Sequence, residues 1–148
     1  MTQTAWAHLP NAKHIDWVIA SLKENPKKWT AANNAARGVA RYNAWYAAWD
    51  AARDAAYEAA KEAAYGAAWF AAFDAANNAA NNAANNAARD MAYYAAWGTI
   101  VALIAYDDCA YMVESEVGEL KIIAAFGDQR AILLLPACIV YNETKELV

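Results

Sequence analysis

From Ala31 to Trp97 the chain keeps a period of four. Alanine pairs, or close substitutes, begin at 31 and recur at every fourth position up to 95. Fourteen of these seventeen slots are strictly Ala-Ala, the exceptions being Val39-Ala40, Asn43-Ala44 and Met91-Ala92. Four residues is too short for a standard solenoid unit, so the repeat must be a surface pattern on helix. Alanine is the best helix former, and residues four apart share a helix face. An ideal helix turns once per 3.6 residues, so the alanine stripe advances about 40° per repeat and circles the helix in roughly nine repeats. A single straight helix here would be on the order of 100 Å long and would show alanine to every side. Either the helices wrap with a right-handed twist, as a period longer than 3.6 demands, or the region breaks into segments. Gly38, Gly66 and Gly98 are the expected breaks, giving two or three helices packed closely through alanine faces.

The slots between the alanines are ordered too. Their first members include Trp45, Trp49, Tyr57, Tyr65, Trp69, Phe73, Tyr93 and Trp97, with Arg53, Lys61 and Arg89 among them. Their second members are mainly acidic, with Tyr46, Phe70 and Tyr94 as aromatic exceptions. Asp50 with Arg53, and Glu58 with Lys61, have the i,i+3 spacing of surface ion pairs. The central slots are neutral: Asn77, Asn81 and Asn85 form one row and Asn78, Asn82 and Asn86 the next. Each asparagine costs roughly 0.6 kcal/mol of helix propensity against alanine. Its amide offers donors and an acceptor without charge, which suits a subunit interface, a neutral pocket or a wet groove. An asparagine row left by slippage of the repeat, on plain surface, is the simpler alternative.

With 42 alanines, five glycines and three prolines in 148 residues, the composition is that of an all-α protein, and the length fits one domain. We expect a helical bundle with an N-terminal helix over 10–25, alanine-repeat helices over 27–98, apolar helices over 99–141 and a frayed tail over 142–148. Pro10 suits a first turn, and Ile15, Val18, Ile19 and Leu22 make an apolar stripe that "ENP" stops. Ser115 is placed to cap a helix ending at Gly127; Asp128 is placed to cap the next, which Pro136 should kink or end.

A net charge of −4 speaks against general nucleic-acid binding. Residues 1–49 nevertheless carry six basic and two acidic side chains, a local +4 that marks either an anion site or a solvated face. The N-terminus lacks the layout of a signal peptide. The runs "GTIVALIAY" and "AILLLPACIVY" reach half of the ~20 residues of a membrane span. The expectation is a cytoplasmic protein without membrane contact. Cys109 and Cys138 lie in apolar surroundings and read as buried thiols.

No nucleophile elbow, phosphate loop, dinucleotide fingerprint or zinc spacing is present, so the reading is non-enzymatic, with no cofactor and no metal. His8, His14 and Asp16 would make at most a weak metal site. Asp107 and Asp108, inside an apolar helical stretch, must be hydrogen-bonded or paired there, and read as a structural cap or as ligand-orienting carboxylates. An acid/base pair for a hydrolase is the weaker alternative. Arg37 and Arg41, four apart just before Trp45, Tyr46 and Trp49, form the best candidate ligand site, because arginine beside aromatic rings grips an anion and a planar group together. The same rings could simply fill space between helices.

The segments "AAWDAARDAAYEAAKEAAYGAAWFAAFDAA", "GTIVALIAYDDCAYMV" and "AILLLPACIV" resemble alanine-rich phage and bacterial proteins of the imm-5-like immunity type, over about residues 31–141. The resemblance brings no catalytic residues. It implies a small phage accessory protein acting in host cytoplasm. Such a protein would be a counter-defence factor that sequesters a nucleotide-like signal or blocks a host defence protein, and would form a homo-oligomer. The alternative is a structural, self-assembling helical oligomer or virion component.

Overall fold

The computed structural model describes residues 4–39, 42–60 and 63–145. Among them it is all-α, without strands. Seven α-helices follow in order: α1 (Ala12–Glu24), α2 (Pro26–Val39), α3 (Tyr42–Ala60), α4 (Ala63–Ala79), α5 (Asn86–Ala105), α6 (Val117–Ala125) and α7 (Gln129–Thr144). Short 3₁₀ turns occupy Ala80–Asn82 and Ala110–Glu114. No helix of the described residues is long and apolar enough to cross a membrane.

The alanine code has a simple structural meaning. Along α3 and α4, up to Ala76, and again at Ala92 and Ala96 of α5, the second position of each described pair is buried. Ala48, Ala52 and Ala56 on α3, Ala68, Ala72 and Ala76 on α4, and Ala92 and Ala96 on α5 are wholly inaccessible. Their partners Ala47 and Ala67 are exposed, and Ala51, Ala55, Ala71 and Ala75 sit at the seam edge. Three successive repeats drift by about 80°, which still fits the ~100° width of a buried helix face. Breaking the region into short segments is therefore what keeps a four-residue period on one side.

Of the three expected breaks only Gly38 stands at a helix boundary. Gly66 lies inside α4 and Gly98 inside α5, while Gly38 precedes the last residue of α2. At Gly98, an added Cβ would sit 3.6 Å from Leu133 Cδ2 and 3.8 Å from Trp49 Cδ1, so this position is a packing contact. The break between α4 and α5 is made by the asparagines. Helix gives way to a 3₁₀ turn at Ala80, and Asn85 turns extended to cap α5, its side chain accepting from Ala88 N at 2.9 Å. Asparagine favours caps because its amide competes with the backbone for hydrogen bonds.

α5 is the axis of the molecule, buried without interruption from Ala95 to Ile104 and flanked by α1, α2, α3, α4 and α7. α7 is its main counterpart and continues past Pro136, which does not end it, and Ala131 to Cys138 are all buried. Proline leaves the Ile132 carbonyl without its helical donor. Packing holds the helix together regardless, and the Thr99 hydroxyl binds Leu133 O from α5 at 2.9 Å. Asp128 caps α7 through Ala131 N at 2.9 Å, and Gly127, with φ +95°, closes α6, both as expected. Ser115 does not cap α6; its hydroxyl turns back to Tyr111 O at 3.2 Å and Glu116 stands at the cap position.

Pro10 stands just before α1. The following Asn11, although at the N-cap position, sends its amide across the molecule to Leu103 O and Tyr106 O, both at 2.9 Å. That contact terminates α5 at Ala105 and fastens the N-terminal helix to the core. Ile15, Val18 and Leu22 are fully buried, and the Trp29 indole N–H of α2 donates to Ser21 Oγ at 3.0 Å beneath them.

Candidate functional site

Arg37 leaves the last turn of α2, and Trp45, Tyr46 and Trp49 leave the first two turns of α3. Around the corner between these helices the four side chains line one cleft of about 310 Å³, together with Tyr94 from α5. The Arg37 guanidinium carbon stands 5.8 Å from the Trp45 ring centroid, within cation–π range. Trp45 meets Tyr46 edge-on, with ring centroids 5.2 Å apart and an angle of 86°. Tyr46 is 45% exposed and Tyr94 50% exposed, so two phenol rings open to solvent at the mouth. Trp49 forms the floor, where its contact with Gly98 brings α3 onto α5. Arg53, 5.2 Å from the Trp49 ring, is engaged by Asp50 at 3.7 Å and Asp54 at 3.5 Å. The Asp50–Arg53 pair is the one the spacing predicts; Lys61, its counterpart for Glu58, lies outside the described residues. Among the described residues no acidic side chain lines the cleft. Among the described residues Arg37 makes no ion pair, which leaves its guanidinium edge available to an anion.

Of the residues grouped by the sequence, Arg37, Trp45, Tyr46 and Trp49 come together in this one cleft. Arg41 lies outside the described residues. Tyr94 belongs to the aromatic slots but comes from a helix distant in sequence. Its place in the second-member row, like Tyr46, was the only available signal. Lys27 and Lys28 stand near the start of α2, roughly 15 Å along the helix from Arg37.

Other aromatic slots interlock with one another across α4 and α5. Trp69 and Phe73 of α4 meet Trp97 of α5 edge-on at 5.0 and 5.2 Å, and Tyr93 stacks parallel to Trp97 at 6.5 Å. These rings fill the space small alanines leave, as the simpler reading had it. Tyr57 and Phe70 are largely exposed, and the Tyr65 side chain lies outside the described residues.

The pair Asp107 and Asp108 is corrected. Neither lies inside a helix, since α5 ends at Ala105, and both are exposed. Asp108 pairs with Arg130 at 3.1 Å on the surface. α5 runs eleven residues past Tyr94, roughly 16 Å along its axis, before the chain reaches the two aspartates, so they do not belong to the cleft. Solvent satisfies these carboxylates, and the argument from burial falls away.

The asparagine rows are also not a continuous stripe. Asn77 and Asn81 accept hydrogen bonds from Arg89, the second at 2.9 Å through Nε, while Arg89 also reaches Asn77 O at 3.4 Å. Asn82 donates to Lys23 O at the end of α1, at 3.0 Å, and Asn85 caps α5. Asn78 and Asn86 are exposed. A staple between α4, α5 and α1 has taken up much of the polarity reserved above for a partner.

His14 Nε2 lies 3.0 Å from Glu114 Oε2, and Asp16 accepts the Trp6 indole N–H at 2.6 Å. Among the described residues no group of three or more His, Cys, Asp or Glu is placed to hold a metal. Cys109 and Cys138 are free and fully buried. Burial pushes the Cys109 thiol up to about 12 and the Cys138 thiol up to about 11; burial, then the neighbouring Tyr94, pushes Tyr93 up to about 12. All three stay protonated near neutrality and none is an activated nucleophile.

The sequence matches no protein-family model, and no curated protein or solved structure is significantly similar to the chain.

Proposed function

We propose that this is a non-enzymatic binding protein whose cleft between α2, α3 and α5 takes a small planar anion of nucleotide type. The observation that carries this reading is the meeting of Arg37 with Trp45, Tyr46, Trp49 and Tyr94 in one cleft that no acidic side chain among the described residues lines. A cleft of about 310 Å³ is at the small end for ligand sites and matches a single nucleotide rather than an oligomer. The tyrosine rings at the mouth offer faces on which a base stacks, at about 1–3 kcal/mol per base. Arg37, held over Trp45, presents N–H donors to a phosphate, and arginine suits the task because its donors form a fixed planar fork. In the phage setting that the family resemblance implies, such a protein would act by sequestering a nucleotide signal.

The test is a thermal-shift and tryptophan-fluorescence titration with linear and cyclic mononucleotides, cyclic dinucleotides and inorganic phosphate. A ligand held at a hundred times its Kd adds about 2.7 kcal/mol, a rise in Tm of several degrees for a domain of this size. Fluorescence should change with the same titration, because Trp45 and Trp49 line the site. Binding should weaken with salt, and Arg37→Ala should abolish it without unfolding the chain. No shift and no fluorescence change with any of these probes would sink the reading.

A further inference from the structure

The outer face of α6 gathers three exposed bulky hydrophobic side chains. Leu120 and Ala124 seat this helix on the core, exposed by 0% and 2%. Opposite them Ile122 is 60% exposed, Ile123 41% and Phe126 90%. Three bulky side chains within one helical turn leave roughly 400 Å² of contiguous apolar surface in water, the size of patch that marks a contact site. Of the charged residues of this helix, Glu119 shares the face, three residues before Ile122 and four before Ile123, while Lys121 stands to its side.

We propose that this face pairs with the same face of a second copy of the chain, α6 against α6 in antiparallel order about a twofold axis at Ile122. The pattern is self-complementary. Gly118, Ile122 and Phe126 follow one another at the four-residue spacing of one helix face. In the antiparallel pair Ile122 meets itself, and Phe126 of each copy falls level with Gly118 of the other. A Cβ at Gly118 would have nothing within 4 Å, so the glycine leaves an open notch beside the largest exposed ring. An isologous contact needs this property of a patch, that it fit its own copy after rotation. Two such faces bury at most about 800 Å² of apolar surface, short of the ~1,000 Å² that a stable specific interface clears. The dimer is therefore a weak one that forms as concentration rises. The proposal does not depend on the ligand cleft, to which α6 contributes nothing.

Sedimentation velocity across a concentration series reads the association, and Ile122→Cys reads the geometry. The wild-type chain should pass from monomer to dimer, without larger species. Ile122→Cys should cross-link to a dimer under mild oxidation, because the axis brings the two copies of this position together. The native thiols do not compete, both being fully buried. Phe126→Glu should hold the chain monomeric at every concentration. Gly118→Gln should do the same, although it meets open space within one chain and improves helix propensity, so its fold is preserved by circular dichroism. A wild-type chain that stays monomeric throughout, whatever else the face then captures, overturns the proposal. So does a dimer that Gly118→Gln and Phe126→Glu both leave intact.

Discussion

At the scale of single residues, Gly98 shows why composition alone misplaces a break. Glycine costs about 1 kcal/mol in a helix interior, yet α5 carries Gly98 through its most buried stretch. A methyl there would stand 3.6 Å from Leu133 and 3.8 Å from Trp49, both ordinary contact distances. Gly98→Ala should therefore stabilise the protein by about 0.5–1 kcal/mol, through backbone entropy and added contact. Thermal denaturation should show a Tm higher by a few degrees; a lower Tm would mean that α3 and α5 cannot accommodate even one methyl. Asn11 makes the converse point. The reading of 107–108 as helix interior followed from apolar residues on both sides. What ends α5 is an amide more than ninety positions away in sequence, bonded to Leu103 O and Tyr106 O. No local pattern carries that information.

At the scale of elements, the repeat was legible as helix and the buried alanine seam followed from it. The positions of the breaks did not, because each four-residue unit looks like its neighbours. Arg37, Trp45, Tyr46 and Trp49 were legible as one site because they lie close in sequence. Tyr94 entered only when α5 packed against α3. The asparagines looked like an outward-facing stripe, yet the structure divides them by role, and opposite mutational signs should expose the division. Asn85→Ala removes the bond to Ala88 N and should cost about 1 kcal/mol despite the better helix propensity of alanine. Asn78→Ala, on the exposed face of α4, should gain about 0.5 kcal/mol from propensity alone. Urea denaturation of the two variants measures both. Equal effects would mean that Asn85 does no more than occupy surface.

At the scale of the whole molecule, α5 and α7 form a core whose titratable groups are held neutral by burial, and this fixes how stability depends on alkali. Cys109 sits against Ala102 O and Tyr106 O, and Cys138 against Ser115 O, so both thiols are buried where α5 and α7 meet their neighbours. In the unfolded chain a thiol titrates near 9.0; in the fold burial raises Cys109 to about 12 and Cys138 to about 11. Between those values the folded state holds more protons than the unfolded state, so unfolding free energy must fall as pH rises. Their contribution is fully present below about pH 8.5, declines from there and is gone above the folded values. Tyr93, raised from 10.0 to about 12, adds to the same decline at its upper end. The loss should amount to a few kcal/mol by pH 11, roughly the scale of one shifted unit per 1.4 kcal/mol. Urea midpoints measured from pH 7 to 11 should fall steadily above pH 9, and Cys109→Ala, despite a lower starting stability, should show a shallower decline. Thiol labelling at pH 8 should be slow in native buffer and fast in urea, at a rate that reports opening of the core. An alkaline decline that Cys109→Ala leaves equally steep would mean that the Cys109 thiol is not what holds the protein against base.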